Sequence, residues 1–162
     1  MTDTHTPLVV GFKVYGIPQP KGSTRAFVNG QGAAVVTTDN PSLAKWESAI
    51  RYAAETVVAR AGGRLLEGAL AVDLTFYLPR PKSAPIRRRL FPTTRPDLDK
   101  AARAVLDPLT GILYHDDAQV IALHARKFYT EGPACVEVAV REARALEDLD
   151  EHPEALCSRR NC

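Results

Sequence analysis

Cysteine is scarce in this chain, and the few histidines follow no pattern. Cys135, Cys157 and Cys162 are the only cysteines. Their number is odd and their spacing fits no metal knuckle. That argues against a disulfide framework and for a reducing compartment. Long apolar runs are missing too. Met1–Pro7 has no basic start, and the apolar stretch after it is broken by Gly11 and Lys13. Neither a secretion signal nor a membrane span is expected, so the reading is a cytoplasmic protein without a membrane partner. No internal repeat occurs, which removes repeat arrays from consideration.

What is present fits one globular domain. The chain has 162 residues, 45% of them hydrophobic and 25% charged, enough for a sizeable core. Formal net charge is only +2, but it is unevenly spread. Residues 142–162 hold six acids against three arginines, a net of −3, so residues 1–141 carry +5. Within these, residues 80–103 hold eight bases and two acids, a net of +6. A patch this concentrated suits a polyanionic partner.

Hydrophobic periodicity gives the order of elements. Leu8–Tyr15 reads as a strand, and Gly16–Arg25 as a loop punctuated by Pro and Gly. Ala26–Val28 and Ala34–Thr37 flank Asn29-Gly30 as a hairpin. Asn40 offers an N-cap with Pro41 at the first helical position. Trp46, Ile50, Ala53, Val57 and Ala61 recur at helical spacing until Gly62-Gly63 stops them. Leu70, Val72, Leu74 and Phe76 alternate as a strand. Residues 79–96, with five prolines and five arginines, form a long loop of the kind that is functional or disordered. Leu98, Ala102, Val105 and Leu109 give a second helix, expected to end or kink near Asp107 because Pro108 lacks the N–H. Val120–Tyr129 and Ala134–Val140 are the last strands. The expected fold is α/β, a single domain with a mixed β-sheet covered by two helices.

Two acidic pairs carry the chemistry. Asp97 and Asp99 stand at the start of the second helix, and Asp116 and Asp117 begin the following strand. Asp at a helix start is a common cap, and Asp-Asp before a strand is a common turn. Together, with Arg95, Lys100 and Arg103 interleaved, they point elsewhere. Converging carboxylates repel by on the order of 1 kcal/mol each even in a water-like dielectric. A hard divalent cation, Mg2+ or Mn2+, resolves that conflict. Such an ion in a basic surface is the apparatus of phosphodiester cleavage. Chain ends meeting at one edge of the sheet are expected to bring all four acids together. Strand alternation then leaves only one of Asp116 and Asp117 facing the site. Asp107 reads as structural and His115 as a bystander.

The chain carries Arg95-Pro96-Asp97-x-Asp99, Leu106-Asp107-x-Leu109, Gly111-Ile112-Leu113-Tyr114 and Asp116-Asp117-Ala118-Gln119-Val120. In these motifs it resembles the RusA family of Holliday junction resolvases. Upstream the resemblance includes Gly16-x-Pro18-x-Pro20-Lys21-Gly22, Arg25 and a helix carrying Trp46, and it covers about residues 9–141. It implies a homodimeric, Mg2+-dependent endonuclease that makes paired nicks in four-way DNA junctions. Its metal-binding aspartates map onto Asp97, Asp99 and Asp117, with Asp116 as the weaker neighbour. A family lysine falls where this chain has Arg103, and a family asparagine where it has Lys100. Arg103 suits a phosphate but not proton donation, and Lys100 is the alternative bearer of the lysine's role. Lys21, Arg25, Arg80, Lys82, Arg87, Arg88, Arg89, Arg95 and Lys127 are expected along the DNA backbone, Lys127 being alternatively a plain strand charge. The RusA-like domain is expected over residues 1–145, with an acidic tail over 146–162. A flap or branched-DNA nuclease using the same aspartates, or a binding module that has lost catalysis, are the competing readings.

Overall fold

Leu70, Val72, Leu74 and Phe76 bury one face of a strand, and its other face is covered almost as well, by Ala71, Asp73 and Thr75. Burial on both faces marks an interior strand of a layered sheet. The computed structural model describes residues 9–22, 24–28, 30–38, 40–82 and 91–149. Over these the chain forms β1 (Val9–Tyr15), β2 (Thr24–Val28), β3 (Ala34–Thr38), α1 (Leu43–Arg60), β4 (Leu70–Pro79), α2 (Leu98–Leu109), β5 (Val120–Thr130) and β6 (Cys135–Glu142). Single 3-10 turns occupy Asp117–Gln119 and Leu146–Leu149. The main sheet has the order β1-β6-β4-β5, and β2 and β3 pair separately as a hairpin. This is the expected mixed sheet with two helices. Among the described residues no helix is long and apolar enough to cross a membrane.

Both helices lie on one face of the sheet. Val10, Phe12 and Val14 of β1, Val136, Val138 and Val140 of β6, and the large residues of β4 form that face. Trp46, Ile50 and Ala54 of α1 and Ala101, Ala102, Val105 and Leu109 of α2 close over it. The alanines on α2 let the two helices approach closely. Removing a large core side chain here, Phe76→Ala for example, is expected to cost about 3–5 kcal/mol. Gly16 ends β1 with φ +137, and a Cβ there would stand 3.3 Å from the Trp46 ring. Backbone and packing therefore both require glycine. The opposite face is polar but ordered. Asp73 is hydrogen-bonded to Arg141, with His124 Nδ1 3.4 Å away. Lys13 lies 2.7 Å from Glu137, to which the Tyr77 hydroxyl donates at 3.3 Å.

Three local expectations need correction. Helix α1 starts at Leu43 after Ser42, not at Pro41. Asn40 instead accepts from Ser42 N and donates to Gln19 and the Pro20 carbonyl, so it braces the preceding turn. Helix α2 runs through Pro108 to Leu109. Pro108 lies in the last turn, where the missing N–H forfeits a single bond. Asp116 and Asp117 do not begin a strand. They form a 3-10 turn before β5.

One feature of the topology governs the rest. Strands β4 and β5 are neighbours and run parallel, with Phe76 opposite Lys127. A parallel pair needs a crossover that returns the chain from the far end of one strand to the near end of the next. Helix α2 is that crossover, so its two flanks lie at opposite ends of the sheet.

Candidate functional site

Asp97 is the N-cap of α2, with extended backbone (φ −66, ψ 134), yet its side chain makes no capping hydrogen bond. The usual work of a cap aspartate is left undone. Its carboxylate is half exposed, with Lys100 Nζ 3.4 Å away. Asp99 follows in the first helical turn, also exposed. The positive end of the helix dipole favours both charges. The chain reaches Asp97 through a cis Arg95–Pro96 bond. From β5, Lys127 Nζ donates to the carbonyls of Thr94 and Pro96, each at 2.9 Å. Arg95 between them is exposed.

In the last turn of α2, Asp107 gathers cations. Lys21 Nζ lies 2.5 Å from Asp107 and 2.9 Å from Glu47 of α1, and Arg103 Nε lies 3.8 Å from Asp107. Lys21 N also donates to the Lys100 carbonyl at 3.0 Å. Partial burial works to lower the Lys21 pKa, but its hydrogen bonds to Asp107 and Glu47 prevail and raise it. The Gly16–Gly22 loop is thereby fastened to both helices. Lys21 was expected on DNA phosphates; here its charge is engaged by two carboxylates.

Beyond the far end of α2, exposed Asp116 caps its own turn. Its Oδ1 accepts from Ala118 N at 2.8 Å, and Gln119 Oε1 accepts from His115 N and Asp116 N, a complete capping box. Gln119 Nε2 ties this turn to the carbonyls of Leu66 and Gly68. Buried Tyr114 donates its hydroxyl to the Leu106 carbonyl at 3.0 Å. Burial, then the charges of Asp117 and Asp107, push its pKa up. Asp117 and Asp107 therefore lie near the same hydroxyl, at the end of α2 remote from Asp97.

The expected convergence of all four acids does not occur within one chain. Helix α2 has 12 residues, which is about 18 Å at 1.5 Å per residue. Two carboxylates can share a cation only when their Cα atoms are within about 12 Å, given metal–oxygen distances near 2.1 Å. Among the described residues no three acid, histidine or cysteine side chains gather as a metal site. The parallel β4–β5 crossover is the physical reason. Hard oxygen donors are present at both ends of α2, but a single chain does not complete a three-aspartate cage.

The remaining basic residues divide. Arg80 pairs with Glu131 at 2.9 Å and lies over the Tyr129 ring at 5.2 Å. Lys82 is exposed. For Arg25 only the backbone is described, opposite Thr37. Arg87, Arg88 and Arg89 lie outside the described residues, as do the tail residues 150–162. Leu146–Leu149 are described, with Arg141 Nε donating to the Asp148 carbonyl at 3.0 Å. Sequence reasoning missed the brace formed by Gln119, although Asp116-x-x-Gln119 is a capping-box spacing. It also missed Glu47, for which no local signal exists.

Comparison with known proteins agrees with the motif reading. The family model described as Endodeoxyribonuclease RusA matches residues 18–141. A Bacillus subtilis (strain 168) protein described as "Uncharacterized protein YqaN" is 33% identical over 146 residues, covering 84% of this chain and 98% of its own length. The matched span runs from the Pro18-x-Pro20-Lys21 loop through both acidic pairs to the end of β6, and on that ground the chain belongs to the RusA family of endodeoxyribonucleases.

Proposed function

We propose that the protein is a Mg2+-dependent, structure-selective endonuclease that resolves four-way DNA junctions by paired nicks, acting as a homodimer. The observation that carries the reading is Asp97, a helix cap whose carboxylate does no capping, two residues from the exposed Asp99 and flanked by bases. Because the third acid of the motif lies at the other end of α2, the reading requires a second copy. Asp97 and Asp99 of one protomer would face Asp117 of the other, and a twofold axis makes two such sites from one interface. Asp116, already committed to Ala118 N, is the less suited neighbour. A divalent cation held there supplies an activated water and charge stabilisation at the leaving oxygen. Paired sites in one dimer suit paired nicks.

The chain's own residues do the rest. Lys100, beside Asp97, offsets phosphate charge. Arg103, largely exposed on the next turn, holds a phosphate oxygen. Arg80, Lys82 and Arg95, with Arg87–Arg89 on the same basic segment, follow the backbone and give salt-dependent, sequence-poor binding.

The test is cleavage of a synthetic four-way junction beside matched duplex, Y-fork and flap, with and without Mg2+. Junction-selective, Mg2+-dependent cleavage is expected. Equal or better cleavage of flap or fork replaces the substrate assignment. Junction binding without cleavage in any divalent metal makes the protein a binding module.

A further inference from the structure

We propose that Lys127 is a positioning residue: an internal strut that holds the 94–96 turn, and with it Asp97, rather than a contact to DNA. The inference rests on the endonuclease reading above for its catalytic consequence, but its geometry stands independently.

Lys127 sits in β5 directly across from Phe76 of β4. Phe76 belongs to the core on the helix-covered face of the sheet, so Lys127 rises on that same face, beneath α2 and the chain leading into it. Its side chain is half-buried, and its ammonium donates to two carbonyls, Thr94 O and Pro96 O, at 2.9 Å each. An ammonium has three N–H donors, and two of them are directed into the protein. A DNA contact offers its charge outward, as the exposed Lys82 and Arg95 do.

What those carbonyls belong to gives the contact its meaning. Between Phe91 and Pro96 the described residues form no helix or strand. The segment has no ladder of its own, yet it delivers Asp97 and fixes where its carboxylate stands. The Pro96 carbonyl belongs to the peptide that carries the Asp97 amide. A strut from a sheet strand to that peptide places Asp97 with the rigidity of the core, and leaves Arg95, between the two bonded carbonyls, turned to solvent. Residues that orient a ligating carboxylate without touching the reacting atoms act in this way.

The test uses the full-length chain with K127M, K127R and K127Q. In metal-free protein, hydrogen exchange at the amides of Thr94, Arg95, Asp97 and Leu98 is expected to speed up in K127M and to return toward wild type in K127R, whose guanidinium can also donate to two carbonyls. With Mg2+, K127M is expected to lose about 10–100-fold in single-turnover junction cleavage, the usual cost of removing a group that orients a metal ligand. Junction affinity and its salt slope stay unchanged, and K127R recovers most of the rate. Thermal unfolding checks that each variant folds. If K127M does not fold, K127Q, with a shorter neutral side chain, is read in the same way. A salt slope reduced by about 0.9 with exchange unaltered makes Lys127 a phosphate contact and overturns the proposal. Unchanged exchange and unchanged rate overturn it as well. If wild-type protein cleaves no junction, the endonuclease reading fails, while the exchange measurement still decides the strut.

Discussion

Mixing the Asp97→Asn chain with the Asp117→Asn chain is expected to recover cleavage that neither has alone. The 12 residues of α2 put about 18 Å of helix between Asp97 and the segment that leads to the Asp117 turn. A shared cation tolerates about 12 Å between Cα atoms. On the proposed reading each site therefore draws its acids from two chains. In a mixed dimer one site collects both lesions and the other collects none. Random pairing of equal amounts makes about half the dimers mixed, each with one intact site, so about a quarter of wild-type site density returns. The assay is single-turnover nicking of a synthetic four-way junction after the two chains are unfolded and refolded together. Lone nicks should accumulate instead of paired ones, because the second site of each mixed dimer is dead. Asp97→Asn mixed with Asp99→Asn is the control. Those lesions share one half-site, so both sites of every mixed dimer stay broken. If all three aspartates of one chain formed the site, every site in the first mixture would carry a lesion and no activity would return. That outcome refutes the two-chain site.

Other outcomes follow from the same geometry. Asp116→Ala is expected to cost about 1 kcal/mol of stability, as a lost cap does, while cleavage persists; Asp117→Asn should abolish cleavage with little change in melting temperature, and the reverse ranking shows the wrong acid was chosen. Replacing Arg87, Arg88 and Arg89 by Ala should weaken binding to every DNA form and flatten the log-affinity against log-salt slope by up to about 0.9 per lost contact; an unchanged slope turns that segment away from DNA. Lys13 should govern part of the alkaline stability. Its hydrogen bond to Glu137 outweighs partial burial and, with the Glu137 charge, raises its pKa from 10.5 to about 12. A group raised on folding stabilises fully below its ordinary pKa and loses that contribution as pH climbs through the folded value. The melting-temperature gap between wild type and Lys13→Met should therefore shrink from pH 10.5 to 12, and a constant gap excludes the assignment.

The elements of the fold were legible because each repeats a local pattern. Leu70, Val72, Leu74 and Phe76 alternate, and α2 keeps Ala102, Val105 and Leu109 on one stripe. Where a residue type has two uses, pattern alone misplaces it. Asn40 caps a turn instead of α1, and Pro108 is tolerated because only the final turn lacks its bond. Both acidic pairs were visible as candidate metal ligands, but not their separation. Asp97 and Asp117 fall at opposite ends of α2 because β4 and β5 pair in parallel, and strand pairing is a long-range choice that neither flank encodes. Lys21 and Lys127 show the same limit from the other side. Neither the Asp107 and Glu47 carboxylates beside Lys21 nor the two loop carbonyls that Lys127 meets has a local signal in the sequence.

The sheet order also bears on how the chain comes off the ribosome. Strand β1, the first of the described strands along the chain, pairs in the main sheet with β6, register running from Val9 with Arg141 to Tyr15 with Cys135. Its partner is the last of the described strands, so β1 waits for that neighbour while β2 to β5 are made. Non-local closure of this kind slows folding and leaves apolar strands exposed meanwhile. A nascent chain halted before Cys135 holds Val10, Phe12 and Val14 with none of β6 yet made to pair with them.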